Sequence, residues 1–206
     1  MRSIDVHAHV TPQCYWRATQ SGGEWHGMRR EQDARGREVM ISGNSRGQLP
    51  PRSSWTPEQR LDDMDSLGVD VQVLSPYAGF YNYDLPVATA KAISVDCNDE
   101  IYQMSTTWPD RFASLGTLPM QDPATAVAEL ERIMVQLQFK GAMIDDKING
   151  KMLDEPEFLP FWKAAEQLGA LILFHQSGET VVSSRIKRYH LPNSMGNLAD
   201  RTLTFA

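Results

Sequence analysis

The sequence predicts an α/β fold, a TIM-barrel-like (β/α)8 barrel of which about five of the eight units are present. Three observations carry this. Short apolar runs alternate with longer amphipathic ones about five times along the chain. The segments between the strands are helical in composition, so the strands should run parallel with crossover helices. The first strand ends in His7-Ala8-His9, with neither a G-x-G-x-x-G turn nor a phosphate loop. An open doubly wound sheet normally places its glycine-rich turn there.

The elements follow in order. Ser3–His7 is a strand leading into the histidines. A long irregular insertion, roughly 10–55, follows, with glycines and the pair Pro50–Pro51. Loops of this length in a compact domain are functional or disordered. A short strand pair is expected inside it around Val39–Ile41. Thr56-Pro57-Glu58 then opens a helix over Pro57–Leu67, with a capping threonine, proline at the first helical position and Gly68 as the stop.

Val69–Ser75 is the second strand, rich in β-branched residues and bounded by Pro76. Leu85–Thr107 is a long helix, and Phe112–Leu118 the third strand. Asp122-Pro123 caps a helix running to about Leu137, and Gly141–Ile144 is the fourth strand. Glu155-Pro156 opens a helix ending near Leu168, and Leu171–His175 reads as a strongly buried fifth strand. A last helix begins near Asn197. Three more units would add on the order of 110 residues, so residues 1–206 are expected to be a single N-terminal portion of a barrel.

Composition narrows the function classes. The chain has 206 residues, 41% hydrophobic and 22% charged, with a net charge of −6. No Lys/Arg-rich run stands out, which argues against nucleic acid or an anionic membrane as the main partner. Cys14 and Cys97 make no disulfide framework and no paired metal motif. The N-terminus lacks a signal-peptide core, and no apolar run is long enough to cross a bilayer. A cytoplasmic setting is the expectation.

The chemistry concentrates in histidines. His7 and His9 are two apart, so on a strand their imidazoles share a face and form a two-nitrogen claw. Imidazole suits zinc and other first-row divalent ions. A bare H-x-H is more often two surface histidines, but His175 ends the most apolar strand and would face the same barrel mouth. Together the three read as a metal site. Asp5, on the same strand face, is either a fourth ligand or a carboxylate that orients a histidine. His26 and His190 have no strand-end placement and read as solvated or structural.

Arg46 and Arg52 lie in the loop over the first strand's end, as substrate-carboxylate binders or as ordinary solvated arginines. Tyr77, Phe80, Tyr81 and Tyr83 follow the second strand and either wall a pocket or pack loop on loop. Trp16 and Trp25 add aromatic surface, and Cys14 reads as a small loop hydrophobe. Cys97 falls inside a helix and belongs to the core, and Ser183–Arg188 reads as a solvated basic face.

Ile4-Asp5-Val6-His7-Ala8-His9 resembles the opening of the amidohydrolase superfamily. Arg60–Asp70, Phe139-Lys140-Gly141-Ala142, and Leu153–Pro156 leading through Phe161-Trp162 to Phe174-His175 narrow the likeness. Together they resemble the branch of aminocarboxymuconate semialdehyde decarboxylase and related aromatic-acid decarboxylases, over nearly the whole chain. The resemblance implies a metal-dependent hydrolase fold, a distorted (β/α)8 barrel holding one divalent ion, zinc in many members and manganese in some. It matches His7, His9 and His175 to the family's first- and fifth-strand ligands. Gln176 stands where the family usually has proline. The family's later histidine and its aspartate ligand would follow further strands, so no catalytic residue is assigned here.

What this implies is non-oxidative decarboxylation of an unsaturated or aromatic carboxylic acid by a homo-oligomer. Hydrolysis of an amide or lactone, or hydration of a double bond, on the same centre is the alternative. A barrel fragment that binds metal weakly and catalyses nothing alone is a third.

Overall fold

Strand β1 spans Ile4–Val10 in this computed structural model, which describes residues 2–43, 45–178, 180–189 and 191–204. It is longer than expected, so His7 and His9 sit inside the strand. A short helix α1, Gln13–Ala18, follows.

The stretch read as irregular is built. Strands β2 (Met28–Gln32), β3 (Glu38–Ser42) and β4 (Ser45–Gln48) form an antiparallel sheet in that order. The expected pair around Val39–Ile41 is therefore one strand of three. Met28 and Met40 bury their side chains beneath this sheet with Tyr15, Trp25, Leu49, Phe80 and Cys97, a second small core. Trp25 thus supplies core, not surface, and its indole N–H donates to Asp96 at 3.1 Å.

Helix α2 covers Pro57–Leu67 as the sequence indicates. Thr56 and Gln59 form a reciprocal capping box, and Gly68 ends the helix at φ +69°. Val69 is used in that stop, donating its N–H to the Met64 carbonyl at 2.9 Å. Strand β5 accordingly starts later than expected, at Val71–Pro76.

Helix α3 (Val87–Thr107) leads to strand β6 (Phe112–Gly116). Asn98, fully buried on α3, ties the two by donating to the Thr117 carbonyl at 3.0 Å and accepting the Thr117 N–H at 2.9 Å. Helix α4 (Pro123–Glu131) is capped by Asp122, which accepts the Thr125 N–H, and ends in a wider π turn, Arg132–Gln136. Strand β7 is Gly141–Ile144. A Cβ at Gly141 would lie 1.8 Å from the Leu171 carbonyl oxygen, so only glycine lets the next strand approach. A hairpin of β8 (Lys147–Ile148) and β9 (Lys151–Met152) precedes helix α5, Leu159–Leu168. Then come strand β10 (Leu171–Phe174), the short helix α6 (Ser183–Ile186) and helix α7 (Asn197–Thr204).

The five long-range strands form one sheet in the order β1-β5-β6-β7-β10, every neighbouring pair parallel. It is a half-barrel sheet, the five strand–helix units expected. The core lies between sheet and helices around Leu74, Leu115, Ala142, Ile144, Phe158 and Phe161. β10 departs from expectation: Leu171 is 55% exposed and Ile172, Leu173 and Phe174 are half-buried. It is an edge strand, with a neighbour on one side among the described residues. β1 is the other edge and exposes Ile4 and Val6. His190 lies outside the described residues.

Candidate metal centre and the cavity beside it

Parallel strands deliver their carboxyl ends to one rim, and that rim carries the histidines. His9 opposes Ser75 on β5, after a register shift in β1 between Asp5 and Ala8. His175 follows β10 directly, held in line by its N–H donating to the Ile144 carbonyl at 2.9 Å.

The three rings converge. His7 Nε2 lies 2.9 Å from His9 Nε2, which lies 3.1 Å from His175 Nε2. Two nitrogens bound to one tetrahedral zinc at about 2.0–2.1 Å lie about 3.3 Å apart. The donor set and its convergence therefore fit one divalent cation, and the three residues form the candidate metal cluster among the described residues.

Protonation favours the same use. Burial, then the neighbouring His175, His7 and Arg60, pushes His9 down to about 3. Burial and His7 lower His175 as well. Both imidazoles are then neutral near pH 7, the form that ligates metal.

The claw is braced from behind. His9 Nδ1 lies 3.1 Å from the Ser75 hydroxyl. If the ring N–H donates there, Nε2 keeps its lone pair for a metal. Arg60, reaching from α2, donates to the His9 carbonyl at 2.8 Å and to Gln72 Oε1 at 3.2 Å. Gln72 donates to Asp5 Oδ2 at 3.0 Å, and Asp5 Oδ1 accepts the His7 N–H at 3.1 Å. Asp5 is thus held by the backbone and by Gln72 and stays outside the converging trio.

Three cavities touch the claw: one of about 340 Å³ runs along β10, with Val6, His7, Phe174 and His175 on its walls, and two others reach the loops. The smaller, about 200 Å³, has Asp5, His7, His9, Arg52, Arg60 and Tyr77 on its walls. The larger, about 680 Å³, is bounded by His175, Tyr77, Tyr81, Asn82, Tyr83 and Asp145. Arg52 therefore stands near the histidines, its Nη1 paired with the Asp63 carboxylate at 3.0 Å and its guanidinium 4.5 Å above the Trp55 ring.

Arg46 needs correction as a substrate binder. It is exposed on β4, pairs with Glu31 at 3.0 Å and lines none of the three cavities, because its strand turns it away from the rim. Phe80 is corrected too. It is fully buried, 5.4 Å from the Tyr15 ring and 5.8 Å from the Trp25 ring, because the turn at Ala78–Phe80 tucks it under the small sheet. Cys14 belongs to the first turn of α1, and burial with Glu100 pushes its thiol up to about 12. His26 pairs with Asp96 at 2.9 Å, a structural use.

Sequence reasoning missed Ser75, Gln72, Asp145 and Asp200. Asp145 and Asp146 directly follow a fully buried strand, the position that drew attention to His175. The same strand-end rule would have found them. Asp200, buried on α7, accepts from Gln176 Nε2 and from the Val181 N–H at 2.8 Å, and pairs with Lys147 at 3.4 Å. Gln176 is thereby committed to Asp200, a contact proline could not make.

A parallel half-barrel sheet with imidazoles converging at its carboxyl rim defines a metal-binding α/β-barrel protein. The chain belongs to the amidohydrolase family, whose profile matches residues 4–203. The 2-amino-3-carboxymuconate-6-semialdehyde decarboxylase of Dictyostelium discoideum is 30% identical over 202 residues, 97% of this chain and 55% of that protein. The structure of 5-carboxyvanillate decarboxylase from Sphingomonas paucimobilis superposes with a TM-score of 0.67 at 28% identity, over 95% of this chain and 57% of the other. A dihydroxybenzoic acid decarboxylase from Polaromonas sp. JS666, crystallised with manganese and 2-nitroresorcinol, shares the fold at TM-score 0.66 and 21% identity, over 93% and 54%. The chain spans about half the length of the curated relatives it matches.

Proposed function

We propose that this chain supplies the histidine half of the active site of a divalent-metal-dependent, non-oxidative decarboxylase of aromatic or unsaturated carboxylic acids. The observation that carries it is the convergence of three imidazoles on a barrel rim, with His9 Nε2 lying 2.9 Å from His7 Nε2 and 3.1 Å from His175 Nε2 and all three ligand atoms within 4.8 Å of one another. Relatives named as decarboxylases of such acids support the reaction class.

His7, His9 and His175 would hold the ion, zinc in first place and manganese as the substitute. When bound, the ion supplies Lewis acidity at the rim. The chain's own residues do the rest. Ser75 fixes the His9 ring, and the Arg60–Gln72–Asp5 relay fixes the β1 backbone that carries both claw histidines. Arg52, at the mouth of the smaller cavity, is placed to exchange Asp63 for a substrate carboxylate. Tyr77, half-buried between the two cavities, keeps an apolar wall beside the reacting end. The bond to the carboxylate breaks, CO2 leaves, and a proton takes its place on carbon.

No helix of the described chain is long and apolar enough to cross a membrane. The free thiols Cys14 and Cys97 suit a reducing cytoplasm.

The test is metal binding followed by product analysis. One ion per chain by equilibrium dialysis, lost in His175→Ala, and CO2 release from an aromatic acid support the reading. A hydrated or ring-opened acid without CO2 would move the assignment to hydratase or hydrolase. Binding without either product would make the chain a metal-binding portion that catalyses nothing alone.

A further inference from the structure

The loop over the smaller cavity is held from outside the site. Arg52, which stands on that cavity, has φ +66°, a left-handed conformation uncommon for a residue with a side chain. Such a conformation persists only where its surroundings impose it. Within the loop, the Ser53 N–H donates to the Pro50 carbonyl at 3.2 Å and the Trp55 N–H to the Arg52 carbonyl at 3.0 Å. The next three carbonyls are all taken by side chains of α1. Trp16 Nε1 donates to the Ser53 carbonyl at 3.1 Å. The Gln13 amide donates to the carbonyls of Ser54 at 3.2 Å and Trp55 at 3.1 Å.

Helix α1 is itself fixed to the rest of the fold. Its N-cap, Pro12, makes no side-chain cap. Glu100, on α3, takes that part: its carboxylate accepts the Gln13 N–H and, at 3.0 Å, the Cys14 N–H. Tyr15, on the same turn, is fully buried in the small core. The contacts therefore run from α3 through α1 to the loop. At their end the Arg52 guanidinium lies 4.5 Å above the ring of Trp55, the residue whose carbonyl Gln13 holds. Gln13 thus fixes the platform under the arginine as well as the backbone beside it. Neither Gln13 nor Trp16 lines the cavity.

We infer that Gln13 and Trp16 are positioning residues, a latch by which α1 sets the 50–55 loop and aims Arg52 at the smaller cavity. Without the latch the loop leaves its left-handed turn and the long Arg52 side chain samples many directions. Ordering both in advance removes that cost from the binding of an anion. Asp63 holds the guanidinium until a ligand carboxylate displaces it. That Arg52 takes a carboxylate rests on the proposed function; that α1 sets the loop does not.

Limited trypsin digestion of the whole chain, read by mass spectrometry, tests the latch without any ligand. The bond after Arg52 lies in the latched turn; the bond after Arg35, in the exposed turn between β2 and β3, is the control. Gln13→Met and Trp16→Phe remove the donors and keep most of the packing. Each should speed the cut at Arg52 by about threefold or more, and the double variant by about tenfold or more, because a hydrogen bond is worth about two- to tenfold in a local opening equilibrium and cleavage follows the open population. The Arg35 cut and the melting temperature should not move. Calorimetry with benzoate then reads the aim of Arg52: the double variant should lose affinity several-fold, approaching the loss in Arg52→Met. An Arg52 cut unmoved in the folded double variant would overturn the latch, and so would equal acceleration at Arg52 and Arg35. A double variant that binds benzoate as the parent does, where Arg52→Met does not, would overturn the positioning role. No benzoate binding, or binding indifferent to Arg52→Met, would instead count against the proposed function and leave the latch standing on the digestion.

Discussion

Ser75 Oγ lies 3.1 Å from His9 Nδ1, across the β1–β5 pair, and so touches the nitrogen that faces away from the other two histidines. The contact couples a strand neighbour to the orientation of a candidate ligand. Removing such an outer partner typically costs about 10–100-fold in metal affinity. Ser75→Ala should therefore weaken zinc binding by about tenfold or more with little change in the metal-free melting temperature. A chromophoric chelator competition measures it. Unchanged affinity would mean that the hydroxyl does not set the ring, and Ser75→Thr should recover most of the loss.

A metal that binds only the folded chain raises its melting temperature. The stabilisation is about 2.7 kcal/mol at a hundredfold excess of free ion over the dissociation constant. Zinc should therefore raise the Tm of the parent chain by several degrees. His175→Ala should lose this response while keeping its fold, because His175 is half-buried at the end of an edge strand. The comparison of parent and variant, each with and without zinc, isolates the site. A shift that survives in His175→Ala would place the ion elsewhere.

Arg60 is the positive centre of the bracing relay, and its two donations go to groups that follow or carry the claw. Burial lowers its pKa, opposed by the negative charges of Asp5 and Asp63. Arg60→Met keeps the apolar stem but strands the His9 carbonyl, Gln72 Oε1 and a partly buried Asp5. A charge-assisted hydrogen bond is worth about 1.5–3 kcal/mol, so a loss of about 2–3 kcal/mol of stability is expected. Chemical denaturation reads it. A change under about 0.5 kcal/mol, the ordinary surface range, would show that the relay carries no load.

What was legible in the sequence was periodic or local. Thr56, Pro57 and Gly68 announce α2 because caps and stops act within one turn. The five parallel strands are legible because each is a compact apolar run with a helix after it. The histidines were legible because strand ends share one rim. The three-stranded sheet was missed because β2 and β4, MRREQ and SRGQ, are polar strands held by pairing and by the small core beneath. The fates of Arg46 and Phe80 depend on partners met only in the fold, Glu31 for one and Tyr15 and Trp25 for the other. Ser75 and His9 are 66 residues apart in sequence, and no local pattern joins them.

Asp145 gives a prediction in pH. Burial raises its carboxyl to about 6, against the opposing hydrogen bonds from Ser177. In the unfolded chain an aspartate titrates near 3.9. Between those values the folded chain holds the proton more tightly, so stability falls as pH rises through the window from about 4 to about 6. Above it the cost of the buried charge is fully present; below it the cost is absent. Asp145→Asn removes the charge, its Oδ1 still accepts the two N–H groups, and the Ser177 hydroxyl turns to accept from the new amide. The variant should gain about 1–3 kcal/mol over the parent at about pH 8 and close to nothing at about pH 4. Paired urea titrations at the two pH values give the difference, and subtracting parent from variant cancels every other titrating group. A gain equal at both pH values would show that packing, not the buried charge, sets the cost at this position. A gain confined to low pH would reverse the sign, and with it the reading of Asp145 as a carboxyl whose charge is held out of water.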